Sequence, residues 1–472
     1  MRYSNQGWFR EQFGFLKRQF LQEGDLPFTD ILSEDTITPA LEAIDASWKD
    51  RIYTPLVTLW IFLGQVISAD HSCRAAVARL IAHRISLGQG ACSPKTGAYC
   101  QARKRLPEKF FSAVTCLVGG ALDSQVDPKW LWKGRRVYMF DGSTISMPDT
   151  GANQKAYPQL YNQKPGVGFP IARIAAIISL SCGAVLDLGI CRYAGKGQGE
   201  VSLLRKMWDL LRPGDVLLAD CLMCNWTELV MLKNRGIDMV TRLNKARRKA
   251  DFRRGKRLGQ FDHIVRWPKP TKPRLMDSEV YRSLPDFLTV REMRVCIVQP
   301  GFRTKSVIVV TTLLDPKEFS NSDLAQLYRA RWNNELDIRS IKTTLQMDIL
   351  RCKTPELVRK EIWTHILAYN LIRTIIAQAA AKHHMLPRTI SFKGTLQTLE
   401  AFQPFIASQH GNACSRIDLY QQLLDAIAVH RVANRPDRFE PRKKKRRKKP
   451  YDLLMKPRAE AKLDILKGVS KN

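Results

Sequence analysis

The hydrophobic pattern of this chain changes its period after Gly134. Before that point apolar residues recur near helical spacing, as Phe9, Phe13 and Phe20 do, whereas after it short β-branched and aliphatic runs alternate with turn residues. Helical blocks at 201–211 and 226–235 separate the later runs. The pattern therefore predicts a mixed α/β sheet, with strands at residues 137–140, 171–180, 185–192, 216–219 and 239–242.

The rest of the chain divides by composition. Residues 243–302 are rich in Arg, Lys and Pro and then alternate, which predicts a β-rich insertion that rejoins the sheet at 306–312. Helical patterns resume at 321–381 and continue to about residue 432. The tail contains eight consecutive basic residues at 442–449, so we expect it to be exposed and without a packed core.

The charge of the chain indicates the class of its partner. Lys and Arg number 76 against 44 Asp and Glu, which gives a formal net charge of +32. A charge of this size attracts polyanions, and nucleic acid is favoured over a membrane surface. A basic helix within residues 93–107 is a candidate recognition helix, although a solvated basic face gives the same pattern.

The sequence lacks recognisable secretion and membrane-spanning signals, and its cysteines are spaced as in intracellular proteins. Both features predict a cytoplasmic protein. The longest apolar run, residues 56–67, is shorter than the roughly 20 residues that span a bilayer. The first residues lack the apolar core of a secretory signal. The 11 cysteines show no disulfide spacing, and the pair Cys221 and Cys224 lacks a second pair at zinc-site spacing.

Two aspartates follow predicted strands. Asp141 follows the run at 137–140, and Asp220 follows the run at 216–219. Ligands gather at strand ends in open α/β sheets, so these two carboxylates could approach each other on adjacent strands. A polar residue is also an ordinary way to end an apolar strand.

A third set of polar residues lies on one predicted helix. At about 100° per residue, Tyr328, Arg331, Glu335 and Lys342 fall within an arc of about 60°. A surface salt-bridge face would have the same spacing. Cations beside a metal-binding carboxylate are expected where a phosphate shares the site.

These residues resemble the signature of a known family. The spacing Tyr328-x2-Arg331-x3-Glu335-x6-Lys342, preceded by Asp141 and Asp220, is similar to that of DDE transposases from bacterial insertion sequences of the IS-four family. The resemblance implies that Asp141, Asp220 and Glu335 are the catalytic, metal-binding acids. Tyr328, Arg331 and Lys342 are then DNA-binding residues.

The resemblance also implies a fold. It is an α/β fold with a ribonuclease-H-like mixed sheet core and a β-rich insertion, flanked by helical N-terminal and C-terminal regions. The expected parts are an end-binding region at 1–125, the first part of the core at 126–242, the insertion at 243–305, the closing part of the core at 306–381, a helical region at 382–434 and the basic tail at 435–472.

The expected activity is metal-dependent DNA cleavage and strand transfer at terminal inverted repeats. Three carboxylates suit two Mg²⁺ ions, with Mn²⁺ as a substitute, and the family acts on DNA as a homodimer. Family members use a Trp on the strand that returns from the insertion to contact a DNA base. Residues 306–312, which form the corresponding stretch here, contain no Trp. Trp267 and Trp332 are candidate substitutes. A non-catalytic nucleic-acid-binding protein, or another ribonuclease-H-like nuclease, is the alternative.

Overall fold

The computed structural model describes residues 6–24, 26–42, 51–246, 248–273, 276–296, 306–409, 412–432 and 452–467. Within these residues the strands form one nine-stranded sheet in the order β3-β2-β1-β4-β5-β9-β8-β7-β6. The first five strands are β1 (Val137–Ser146), β2 (Ile171–Ser179), β3 (Val185–Arg192), β4 (Val216–Ala219) and β5 (Asp238–Arg242). The sequence prediction of a mixed α/β sheet is confirmed.

The first half of the sheet combines two kinds of pairing. Strands β1, β2 and β3 form an antiparallel meander, whereas β4 pairs parallel to β1 and β5 pairs parallel to β4. The parallel connections run through helices, as parallel pairs require. These helices are α8 (Glu200–Met207), which precedes β4, and α9 (Trp226–Asn234), which precedes β5.

The β-rich segment extends the same sheet. Strand β9 pairs antiparallel with β5, and β8, β7 and β6 follow outward as a meander. These strands are β6 (Lys256–Gly259), β7 (Asp262–Pro268), β8 (Phe287–Cys296) and β9 (Ser306–Thr311), with α10 (Ser278–Ser283) between β7 and β8. The last residues of the predicted insertion, 297–305, lie outside the described part of the chain.

Helices cover both faces of the sheet, which gives three layers. One face packs with Met139 and Leu218 against the N-terminal and C-terminal helices in one apolar cluster, whereas the other packs with Phe140 and Leu217 against α8 and α9. The N-terminal helices are α1 (Gln6–Gln19), α2 (Glu34–Glu42), α3 (Pro55–Ile67), α4 (Cys73–Ser86), α5 (Gly97–Arg105) and α6 (Glu108–Ser124), and α7 (Gly151–Ala156) follows β1.

The C-terminal helices centre on a long buried one. Helix α13 (Pro355–Lys382) has 28 residues and packs against α3, α6 and the last helices. The others are α11 (Asn321–Ala330), α12 (Trp332–Arg339), α14 (Phe392–Ser408), α15 (Ala413–Val429) and α16 (Arg458–Leu466). The basic run at 442–449 lies outside the described residues, and α16 shows that part of the tail is helical.

Helix α5 differs from a simple recognition helix. Its Arg103 is buried, with its guanidinium over the rings of Phe62 and Tyr99 at 4.9 and 4.6 Å. Lys104 and Arg105 remain exposed. Only part of the basic character of this helix is therefore available to a partner.

None of the helices in the described residues combines the length and apolar character needed to cross a bilayer.

Candidate active site

Asp141 and Asp220 lie beside each other on neighbouring strands. The parallel ladder of β1 and β4 ends with the pair Phe140 and Ala219, and each aspartate comes directly after its member of that pair. Strand β1 continues past Asp141 to Ser146, because these residues still pair with β2. Asp141 is therefore inside a strand, and the prediction that its strand ends there is wrong.

Local backbone contacts fix both aspartates. The Asp141 carboxylate accepts the backbone N–H of Gly142 at 2.8 Å. The Asp220 carboxylate accepts that of Leu222 at 2.7 Å, in the turn that follows β4. Because hydrogen bonds to the charged form stabilise it, the contact with Gly142 lowers the pKa of Asp141.

Arg331 joins Asp141 to Glu335. One guanidinium nitrogen lies 3.5 Å from Asp141 Oδ2, and the other donates to Glu335 Oε1 at 2.9 Å. The Arg331 side chain is 19% exposed, so this contact is better shielded from solvent than a surface ion pair. The structure thus brings an acid of β1 and an acid of α12 around one cation.

The helix that carries these residues is interrupted twice. Helix α11 ends before Arg331, where short-range backbone bonds tighten the chain, and a π-helical turn at Ser340–Thr344 follows α12. The prediction of one regular helix is wrong here. A π-helical turn is wider than an α-helical one and changes which side chains share a face of the helix. The Lys342 ammonium reaches β1 here, where it donates to Ser143 Oγ at 3.1 Å and to the Thr144 carbonyl at 2.7 Å.

Tyr328 lies within the same set of charges. Burial raises the pKa of its phenol, while Arg331 and Arg242 lower it and Asp220 raises it. All six residues that the sequence singled out therefore lie around the junction of β1, β4 and α12.

Burial sets the electrostatics of this junction. It raises the pKa of Asp141 to about 6, against the lowering effects of Gly142 and Arg331, and the charges of Asp220 and Glu200 raise it further. Burial also lowers the pKa of Lys342. A cation bound beside Asp141 would oppose the first effect, because it stabilises the ionised carboxylate.

The donor set fits a hard divalent cation. Asp141, Asp220 and Glu335 offer only carboxylate oxygens, which Mg²⁺ prefers. In the part of the chain that the structure describes, no three acidic, His or Cys side chains already converge on one point. The guanidinium of Arg331 lies between Asp141 and Glu335, so a cation shared by these acids requires Arg331 to move.

Sequence reasoning missed Glu200. Its carboxylate accepts from Arg173 at 2.7 Å and lies against Gly142, at the first residue of α8. The only signal in the sequence is an acid after the glycine-rich residues 195–199, and an acid at a helix start is too common to identify a site.

Trp267 is unsuited to contact a DNA base. It is 3% exposed, and its indole N–H donates to Glu292 at 2.7 Å. The guanidinium of Arg248 covers its ring at 4.5 Å. Trp332 is 46% exposed and adjoins Arg331, so of these two residues only Trp332 remains a candidate.

The sequence resembles known proteins over most of its length. The sequence profile of the transposase DDE domain matches residues 132–371, which span the sheet, the insertion and the first half of α13. The transposase InsG of insertion sequence element IS4 from Escherichia coli strain K12 is 24% identical over 439 residues, which cover 90% of this chain and 93% of that protein.

Two further similarities are more limited. The transposase of insertion sequence element IS421 from Escherichia coli is 39% identical over 69 residues, 15% of this chain and 19% of that protein. A piggyBac transposase, solved as a synaptic complex with hairpin DNA, covers 87% of this chain and 84% of its own at 10% identity and a TM-score of 0.44. Since the domain profile matches more than half of the residues and the transposase of IS4 aligns with 90% of the chain, the chain belongs to the DDE transposases of the IS4 family and is a DNA transposase, an enzyme that cleaves DNA and transfers its strands.

Proposed function

We propose that Asp141, Asp220 and Glu335 are the catalytic acids of this transposase and hold two Mg²⁺ ions, with Mn²⁺ as a substitute. The observation that carries the assignment is the contact of Arg331 with both Asp141 and Glu335, beside the strand that leads to Asp220. DDE transposases use divalent metal ions. Two such ions would activate the attacking oxygen and stabilise the leaving oxygen of a phosphodiester.

The strand order supports a ribonuclease-H-like core. An antiparallel meander of three strands is followed by two parallel strands in the order β3-β2-β1-β4-β5. The core then comprises residues 126–242 and 306–381, with the β-rich insertion at 243–305 between them. In this arrangement β9 pairs with β5 of the core, and the strands of the insertion extend the sheet beyond β9. The insertion carries exposed cations toward DNA.

The cations of the site have separate tasks. Arg331 and Lys342 bind the phosphate next to the scissile bond, because charge-assisted hydrogen bonds to phosphate oxygens are strong. Tyr328 lies within reach of the charge of Arg331 and binds DNA beside it. Water attacks the phosphorus and the 3′ oxygen leaves, and the freed 3′-hydroxyl then attacks target DNA, so no protein nucleophile is needed.

End recognition belongs to the helical region at residues 1–125. The exposed Lys104 and Arg105 on α5 offer phosphate contacts there. The region at 382–434 packs through α14 and α15 against α13 and supports the core. Two copies of the chain bring two element ends together in a homodimeric synaptic complex.

A cleavage assay tests this function. Labelled DNA taken from both sides of the coding gene is incubated with the protein, with and without Mg²⁺. We expect a nick at the element end that depends on the metal, and no such cut in a scrambled end. Cleavage without added metal in the presence of a chelator would contradict the two-metal assignment.

Loss of either phosphate-binding cation should reduce cleavage. We expect Arg331→Ala and Lys342→Ala to lower the rate at a pre-bound end by about 10²-fold, as removal of a charge stabiliser in an active site does. Single-turnover kinetics measure this rate. The matched control is Arg339→Ala, because Arg339 is an exposed residue of α12, which lies between Arg331 and Lys342 along the chain. Equal rates for all three variants would contradict the assignment.

The basic run at 442–449 should supply affinity that does not depend on sequence. Each phosphate contact contributes about 0.9 to the slope of log affinity against log salt. We expect replacement of the eight residues by serine, which keeps the length, to flatten this slope by several units on unrelated duplex DNA. Fluorescence anisotropy over a salt series measures it, and an unchanged slope would mean that the run does not contact DNA.

A further inference from the structure

The carboxylate of Glu200 fills the space where a side chain at position 142 would lie. A Cβ added to Gly142 would be 2.5 Å from Glu200 Cδ and 2.6 Å from its Oε1. Gly142 directly follows Asp141 on β1. The absence of a side chain at this position therefore allows a second carboxylate to reach the backbone beside Asp141.

Arg173 holds Glu200 in this place. It extends from β2, paired with Thr144 of β1, and donates to Glu200 Oε1 at 2.7 Å. The same guanidinium donates to the Tyr193 carbonyl at 3.3 Å and lies 5.1 Å from the centre of the Tyr193 ring. The position of the carboxylate is thus fixed by contacts to three segments of the core.

A purely structural role explains this arrangement poorly. Placing a partly buried ion pair here costs desolvation, and apolar residues of similar volume generally hold a helix on a sheet at least as well. The Glu200 carboxylate lies against the backbone of Gly142, the residue that directly follows the proposed catalytic acid Asp141 on β1. A negative charge held beside the residue that follows Asp141 strengthens the binding of a cation to Asp141.

We propose that Glu200 is a fourth acid of the catalytic centre, a positioning residue that fixes the backbone next to Asp141 and strengthens divalent-cation binding there. Arg173 and Gly142 serve this role, the first by holding the carboxylate and the second by making room for it. The inference rests on the proposed function, in which Asp141 binds the cation.

A metal titration without DNA tests this role. The full chain is titrated with Mn²⁺, and free Mn²⁺ is followed by electron paramagnetic resonance. Glu200→Gln keeps the acceptor for Arg173 and removes the charge, so we expect the apparent Kd for Mn²⁺ to rise about tenfold, as loss of one nearby charge implies. Asp141→Asn serves as the reference and should weaken binding more.

Two further variants separate charge from folding. Glu228→Gln is the matched control, because Glu228 is a buried glutamate of α9 that pairs with Arg205 of α8 and has no part in the proposed site. It should leave the Kd unchanged. Gly142→Ala keeps every charge but displaces the Glu200 carboxylate through its added Cβ, so it should also weaken Mn²⁺ binding.

The outcomes distinguish the two assignments. If Asp141→Asn weakens Mn²⁺ binding and Glu200→Gln does not, the role of Glu200 is wrong and the proposed function stands. If neither variant changes the Kd, the proposed metal site itself fails. An equal change in Glu228→Gln would show that the effect reflects net charge alone and would overturn the inference.

Discussion

We expect Asp141→Asn, Asp220→Asn and Glu335→Gln to cleave element ends about 10³-fold more slowly than the parent protein or worse. Each change removes a ligand charge and keeps the size of the side chain, so the fold should survive. A 10³-fold loss corresponds to about 4 kcal/mol of transition-state stabilisation, and a two-metal arrangement depends on every ligand. Single-turnover cleavage of labelled terminal DNA in Mg²⁺ measures the loss.

DNA binding should respond in the opposite direction. Each variant removes negative charge from a surface that meets phosphate, so end binding should be retained or slightly tighter. The control is Asp187→Asn, since Asp187 of β3 also accepts the backbone N–H of its following residue, at 2.7 Å, and lies outside the catalytic set. Full cleavage by all three variants would refute the assignment, and joint loss of binding and cleavage would indicate a structural role.

The sequence predicted the positions of the first five strands because each of them carries its own local signal. The runs at 185–192 and 216–219 match β3 and β4, since apolar and β-branched residues bounded by turn residues define a strand locally. Asp141 and Asp220 came together for a related reason. Each directly follows its member of the last pair in the parallel ladder of β1 and β4, Phe140 and Ala219, so the two lie side by side on neighbouring chain segments.

The length of β1 depends on the neighbouring strand with which it pairs, so the local sequence pattern did not predict it. Strand β1 runs past Asp141 because β2 is long enough to pair with Gly142 through Ser146, and no residue near Asp141 records the length of β2. The break at Arg331 and the π-helical turn around Lys342 similarly depend on packing against the sheet, which periodicity along one helix cannot report.

The predictions from sequence also failed at residues whose environment is set by contacts with distant parts of the chain. Trp267 looked available for a DNA base, but Glu292 and Arg248 hold it in the interior of the insertion. The sequence around Glu200 did not identify it as a site residue, because its position depends on two distant contacts. One is with Arg173, 27 residues earlier, and the other is with the backbone of Gly142, which has no side chain. Such sites need a structure, since the interacting residues share no spacing.

The helix that carries Glu335 depends on a buried carboxylate two residues later. Asp337 is fully buried and accepts from Arg373 of α13 at 2.5 Å and from Arg388 at 2.7 Å through both of its oxygens. Arg388 also donates to the Leu180 carbonyl, just beyond β2. These contacts tie α12 to α13 and to the end of the sheet, so they fix the position of Glu335.

We expect Asp337→Asn to lower the free energy of unfolding by about 3–5 kcal/mol, because it leaves the buried guanidinium of Arg373 and the half-buried one of Arg388 without a counter-charge. Urea denaturation followed by tryptophan fluorescence measures the change. The control is Asp209→Asn, which breaks an ion pair with Arg235 on the surface, where the Asp209 side chain is 77% exposed. Exposed pairs contribute little to stability, so its urea midpoint should match that of the parent. Equal midpoints for Asp337→Asn and the parent would show that Asp337 is not what anchors the Glu335 helix.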